Sequence, residues 1–235
     1  MKPKNEKPDP RSSRGDKTME QMLAAGLEAF AKFGPEGVTT RHLAKVAGVN
    51  SAAIQYYFGG KEGYYIAVVK HLIREKGSLL VSVIDKIEQH LKESVPDQKQ
   101  ACLLLSHLLQ QMVTLILSLP EARFFASIST REHLNSTPAY EIIYETVSKL
   151  HGTVARLVGC ALGIPAESPD AIIRAHAIIG QAMIFRIGAT TLCRRLGIEE
   201  IGSEQVKQIA SIVADMACRS LGVVPSNESM GGSQK

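Results

Sequence analysis

The sequence predicts an all-α protein of about nine helices, with an N-terminal three-helix unit carrying a helix-turn-helix ahead of a larger helical region. Three observations predict it. Apolar residues recur every three or four positions along most of the chain, no β-rich segment stands out, and Thr39 to Glu62 (TTRHLAKVAGVNSAAIQYYFGGKE) holds a spaced triple. In that triple Ala44 is the small contact residue, Gly48 the backbone able to take φ > 0, and Ile54 the apolar anchor.

Composition bounds what this motif can belong to. A chain of 235 residues, 45% apolar and 21% charged, with mean hydropathy near zero, is that of an ordinary globular protein of one or two domains. The net charge of +4 is unevenly spread: Met1 to Lys76 holds 13 Lys+Arg against 8 Asp+Glu, and the remaining 159 residues hold 14 against 15. A basic region beside a neutral one points to polyanion binding at the amino end and a different task behind it. Cys102, Cys160, Cys193 and Cys218 lie far apart, with no CxxC pair and no His at zinc spacing, so reduced, buried thiols are expected. No Gly-rich phosphate loop and no Ser or Cys beside an identifiable base is found; no enzyme, cofactor or metal is expected. The start, MKPKNEKPDPRSSRGDK, lacks the apolar core of a signal peptide, which makes the cytoplasm the expected location.

Residues 1–16 read as a flexible basic tail broken by Pro3, Pro8, Pro10 and Gly15; it either brushes a DNA minor groove or is solvated and inert. The first helix runs from about Asp16 or Thr18 to Phe33, with Met19, Met22, Leu23, Gly26, Leu27, Phe30 and Phe33 on one apolar face, and Gly34-Pro35 stops it. Thr39 or Thr40 caps the second helix, which runs to Ala47 with Leu43, Ala44 and Val46/Ala47 inward. Asn50 caps a third helix, Ser51 to Tyr57.

With Ile54 and Phe58 committed to the core, Ser51, Ala52, Gln55 and Tyr56 face outward. Small side chains at Ala52 and Ala53 let the helix approach a major groove, and Gln55 can pair bidentately with adenine N6/N7, so Gln55 is the candidate base reader. Thr40, Arg41, Tyr56, Tyr57 and Lys61 suit phosphate contacts, which position without specifying. The partner implied is double-stranded DNA. For Phe58 a core role is at least as good a reading as a contact role.

Phe30-Ala31-Lys32-Phe33-Gly34, Gly37-Val38-Thr39-Thr40, Ala44, Ala47-Gly48-Val49, Ile54, Tyr57-Phe58 and Lys61-Glu62 together resemble the DNA-binding domain of the TetR family of bacterial transcriptional regulators, over Lys17 to Tyr65. Gln55 stands where the family usually has an aromatic, and Gly60 where it has Ser or Asn. The resemblance implies residues 17–65 as the DNA-binding domain, 66–221 as a ligand-binding and dimerisation domain, and 222–235 as a disordered tail. It further implies a repressor that leaves a palindromic operator when a small-molecule inducer binds. Ser127 to Leu221 resembles the C-terminal domain of a TetR subfamily typified by regulators of drug sensitivity.

Behind the motif, one long helix runs from Lys61 to about Leu91, with Gly77 a possible kink. Ala101 to Leu119 has 19 residues without formal charge, near the length of a membrane span, but Ser106, His107, Gln110, Gln111 and Thr114 are costly in lipid and a buried bundle helix explains it better. His107, Gln110, Gln111, Thr114 and Ser118 share one side, which either lines a cavity or faces solvent. Glu121 to His133 and a helix from Tyr140 to about Leu162 follow. Tyr140 and Tyr144, four apart, either frame a ligand or form a core aromatic pair. Two last long helices, Ser168 to Leu196 and Ser203 to Leu221, carry the bands by which the family forms a two-fold four-helix bundle, so a homodimer is expected. His107, Gln111, Thr114, Tyr140, Tyr144, His176 and Gln181 are the candidate ligand-binding residues; Arg186 is also unusual for an apolar seam.

Overall fold

The computed structural model describes residues 10–119 and 122–223, all of whose regular structure is helical. Ten helices follow in order: α1 Pro10–Phe33, α2 Thr40–Val46, α3 Ser51–Phe58, α4 Lys61–Glu93, α5 Gln98–Ser118, α6 Ala122–Leu134, α7 Ala139–Leu162, α8 Pro169–Ile187, α9 Ala189–Leu196 and α10 Ser203–Ser220. Two boundaries differ from the sequence reading. α1 starts at Pro10, so the second half of the expected tail is helical; proline is well placed in a first turn, where its missing N–H has no partner to lose. The expected tails over residues 1–9 and 224–235 lie outside the described residues. The helix expected over Ser168–Leu196 is two helices bent by 67° at Gly188, which accounts for ten helices instead of nine.

The chain forms two compact units. Residues through Lys76 together with Phe124–Ile143 make the first; Gly77–Arg123 and the residues from Tyr144 onward make the second. The expected division at residue 65 therefore differs in two ways: the first half of α4 belongs to the N-terminal unit, and so does nearly all of α6.

Phe30 centres the first unit, with its ring edge-on to Tyr64 at 5.6 Å and Tyr65 at 5.0 Å. Met22, Leu43, Ile54, Val68 and Leu72 close around it with at most 1% exposure. Tyr64 stacks on Phe58 at 4.5 Å, and its hydroxyl donates to the Met22 carbonyl, so α1, α3 and α4 are locked through one ring. Burial pushes the Tyr64 phenol up to about 12. Val38, in the connection between α1 and α2, is buried at 3% exposure. Val46 is not inward as expected: it is 45% exposed, because the short α2 turns only Leu43 and Ala44 to the core.

α6 is held to this unit by polar groups. Ser127 Oγ donates to the Ala31 carbonyl at 2.7 Å, and the Tyr65 hydroxyl donates to Glu132 Oε1 at 2.8 Å. Glu132 is fully buried, and its second oxygen accepts the Thr137 N–H at 2.8 Å while the Thr137 hydroxyl reaches both oxygens at 3.0–3.1 Å. A buried carboxylate is tolerable only when its lone pairs are met in this way.

In the second unit α5 is the central helix, packed on α10 and α8. It is long and apolar enough to cross a membrane, but Ala101, Cys102, Leu105, Leu108, Leu109, Met112, Val113 and Leu117 are buried within the bundle. Asp97 and Gln100 cap its start reciprocally, at 2.8 and 3.1 Å. α4 and α7 are joined by Glu88, which accepts from Thr153 Oγ1 at 2.6 Å and pairs with Arg156. The four cysteines are free; burial, then the neighbouring Cys218, pushes the Cys102 thiol up to about 12.

Candidate nucleic-acid interface

The α2–α3 corner is built by local chemistry. Thr39 Oγ1 accepts the His42 N–H at 3.1 Å and Asn50 Oδ1 accepts the Ala53 N–H at 2.9 Å, so both helices begin on a side-chain cap, each contributing about 1 kcal/mol. Between them Gly48 takes φ 67°, and the Val49 N–H closes the turn on the Ala44 carbonyl at 3.0 Å. Ile54, fully buried, seats α3 against the core. Gly59 at φ 72° ends α3, and Gly60 at φ 125° accepts the Tyr64 N–H to begin α4. That φ strains any residue with a side chain, which is a physical reason for Gly60 at this position.

What α3 leaves outside is the set expected to touch DNA. Ser51, Ala52, Gln55, Tyr56 and Tyr57 are exposed, Tyr56 at 83%. Tyr56 and Tyr57 meet edge-on at 5.1 Å. Ala53 is half-buried and carries the Asn50 cap. On α2 Arg41 is exposed and Thr40 half-buried. Lys61 is half-buried, and its ammonium donates to the Val38 carbonyl at 3.4 Å, tying the start of α4 to the α1–α2 connection. The sequence reading misses Lys45, exposed on the last turn of α2; its spacing of four from Arg41, which puts both on one helix face, is the available signal.

Residues 22–68 match the family described as bacterial regulatory proteins, tetR family, and residues 101–223 match the C-terminal domain of the HTH-type transcriptional dual regulator CecR. The HTH-type transcriptional dual regulator CecR of Shigella flexneri is 31% identical over 212 residues, covering 88% of this chain and 94% of that protein. The chain belongs to the TetR family. Solved structures share the fold: a transcriptional regulator from Rhodococcus sp. Rha1 has a TM-score of 0.59 at 22% identity, covering 88% of this chain and 99% of that one. The TetR-family regulator PfmR from Thermus thermophilus has a TM-score of 0.56 at 14% identity, covering 84% and 97%. As a member of this family the protein is a DNA-binding transcriptional regulator and not an enzyme. α2 and α3 are its helix-turn-helix, within the matched N-terminal segment.

The seven candidate ligand residues are divided between the two units. Tyr140 belongs to the N-terminal unit, half-buried with its ring 5.6 Å from His133, whereas the other six belong to the second unit. His107 and Thr114 are exposed on α5, Thr114 Oγ1 donating to Gln110 O within the helix; Gln111 is half-buried. Tyr144 is 53% exposed, and His176 is exposed 5.2 Å from His151. Gln181 is half-buried, and its Oε1 has no hydrogen-bond partner among the described residues. Helical spacing identifies faces, but which faces turn toward a cavity depends on how neighbouring helices pack. One cleft of about 530 Å³ in the second unit is lined instead by Leu117, Arg186, Thr190, Arg194, Ile198 and neighbours; another of about 290 Å³ is lined by His151, Arg156, Glu167 and Ile172 among others.

Proposed function

We propose that the protein is a ligand-responsive repressor, a homodimer that holds a palindromic operator with one α3 per half-site and leaves it when a small molecule binds the second unit. The observation that carries the DNA half of this reading is α3 itself. Its one buried residue is Ile54, while Gln55 and an 83%-exposed Tyr56 project away from the core. In a dimer the two copies of α3 would enter major grooves about one helical turn apart, roughly 34 Å. Gln55 reads adenine; Ser51, Tyr56, Tyr57, Arg41 and Thr40 hold phosphates, and the free protons of Lys61 add to them.

The dimer reading is supported by apolar side chains left outside on the last helices: Ile172, Ile173, Ile184 and Ile187 on α8, Leu196 on α9, and Ile212 and Met216 on α10, each 46–67% exposed. A run of this kind on a regulator's closing helices fits self-association about a two-fold axis. Ligand control is supported by chain topology. The chain passes between units at Lys76/Gly77, Arg123/Phe124 and Ile143/Tyr144, and the excursion between the last two places Glu132 on Tyr65 of α4. A ligand that favours one arrangement of the second unit then biases α4 and α6, and with them the pair of recognition helices.

Footprinting on DNA flanking the protein's own gene tests the reading: a protected two-fold repeat is expected, and sequence-independent protection would overturn it. Sedimentation of the free protein is expected to give a dimer.

A further inference from the structure

The 530 Å³ cleft of the second unit is open, with an apolar floor and a charged wall. Leu117 of α5, Cys193 of α9, and Ile198 and Ile201 of the α9–α10 connection supply the floor. Arg186 from the last turn of α8, then Thr190 and Arg194 from α9, supply the wall, set around the 67° bend at Gly188. The bend is what makes the wall concave: on one straight helix, residues spaced by four would form a convex stripe.

We infer that this cleft binds a small amphipathic monoanion, an apolar body bearing one carboxylate, whose charge is met by Arg186. Arg186 is half-buried, and among the described residues it has neither an ion pair nor a hydrogen bond. Its neighbour in charge is a second guanidinium, Arg123; burial first and Arg123 next hold the pKa of Arg186 below its ordinary value. A guanidinium that is partly desolvated, faces a like charge and has no carboxylate partner among the described residues gains from an incoming anion. Its planar donors suit a carboxylate, and the Thr190 hydroxyl is a further donor on the same wall.

Glu199 and Glu200 also line the cleft, and both are exposed. Solvent and salt screen their charges more than they screen the half-buried Arg186, so the inner site keeps a preference for an anion. They do set a limit: two exposed carboxylates in the lining disfavour dianions such as phosphate esters. The cleft volume lies within the range that takes drug-sized ligands. This deepens the ligand-responsive reading, on which it depends only for the effect on DNA; occupancy of the cleft stands by itself.

The test uses full-length protein with octanoate as probe, and octan-1-ol and octyltrimethylammonium as matched neutral and cationic controls, read by calorimetry and thermal shift. Saturable octanoate binding is expected, with octan-1-ol weaker by about tenfold or more. Arg186→Met should bring octanoate down to the level of octan-1-ol without lowering Tm, because it removes a desolvated charge that faces Arg123. An arginine kept for structure would lower Tm instead. Thr190→Trp, at an exposed position, should fill the cleft and block octanoate while the fold is kept; it decides the matter if Arg186→Met fails to fold. Equal binding of octanoate and octan-1-ol, or wild-type octanoate affinity in both variants, overturns the inference. If octanoate does not bind while another compound releases operator DNA, the monoanion site falls and the repressor reading stands. If octanoate binds through Arg186 but leaves the DNA complex intact, the site stands and the repressor reading loses this class of inducer.

Discussion

Replacing Glu132 by Gln measures how firmly α6 is held to the helix-turn-helix unit. The carboxylate, itself out of contact with solvent, accepts from the buried Tyr65 hydroxyl at 2.8 Å and from the part-buried Thr137 N–H at 2.8 Å and Thr137 hydroxyl. In Gln one acceptor oxygen becomes a donor. If the amide nitrogen turns toward Thr137, two N–H groups face each other; if it turns toward Tyr65, the phenol must accept and its own proton is left unmet. Either arrangement strands a buried donor, at about 1–3 kcal/mol, and weakens the bonds that had been assisted by charge. Loss of the buried charge offsets part of this, so a net cost of about 2 kcal/mol is expected. The assay is urea unfolding followed by tyrosine fluorescence, which reports chiefly on this unit: the chain has no Trp, and five of its six tyrosines lie here. Tyr65→Phe should cost about 1 kcal/mol, and the double variant less than the sum, by about 0.5 kcal/mol or more. Additive losses, or a Glu132→Gln loss below about 0.5 kcal/mol, would show that the network does not hold α6 in place.

Four other outcomes follow from the same geometry. Gly26→Ala should lower Tm despite the gain in helix propensity, since the added Cβ would lie 2.8 Å from the Tyr64 ring, which is held by Met22 and Phe58; overpacking of this kind costs about 1–3 kcal/mol. Gly152→Ala, whose Cβ would meet nothing within 4 Å, should instead stabilise α7 by about 0.5–1 kcal/mol, and calorimetric Tm values check both signs. The Tyr64 phenol is raised from 10 to about 12 by burial, so the unfolded chain loses its proton first; this contribution to stability is complete below pH 10 and is lost as pH rises toward 12, and the fall should be shallower in Tyr64→Phe. Gln55→Ala should relax base preference in a binding-site selection with affinity for non-specific DNA unchanged, whereas Lys61→Ala should weaken all sites and also lower Tm through loss of its bond to Val38.

Much of the recognition corner is legible in the sequence because each device that builds it closes within a few residues. Thr39 caps at a separation of three, Asn50 likewise, Gly48 needs only its own φ, and Ile54 declares the buried side of an eight-residue helix. The exposure of Gln55 and Tyr56 follows once that side is known. The start of α1 is harder to place, because Pro and Gly read as breakers even where Pro10 opens a first turn. The long helix ending at Leu196 reads as unbroken because a single interior Gly is compatible with helix, whereas the structure bends by 67° there.

By itself, then, the sequence determined the helical class, the position of the helix-turn-helix and the residues it presents, all through interactions of short range. Tertiary structure alone decided which partners distant residues found. Glu132 meets Tyr65 across 67 positions and Ser127 meets Ala31 across 96, which assigns α6 to the unit that reads DNA. It also decided that Arg186, Thr190 and Arg194 curve around a cleft while His107 and Thr114 turn to solvent. Helical periodicity defines a face; packing against other helices decides whether that face meets core, cavity or water.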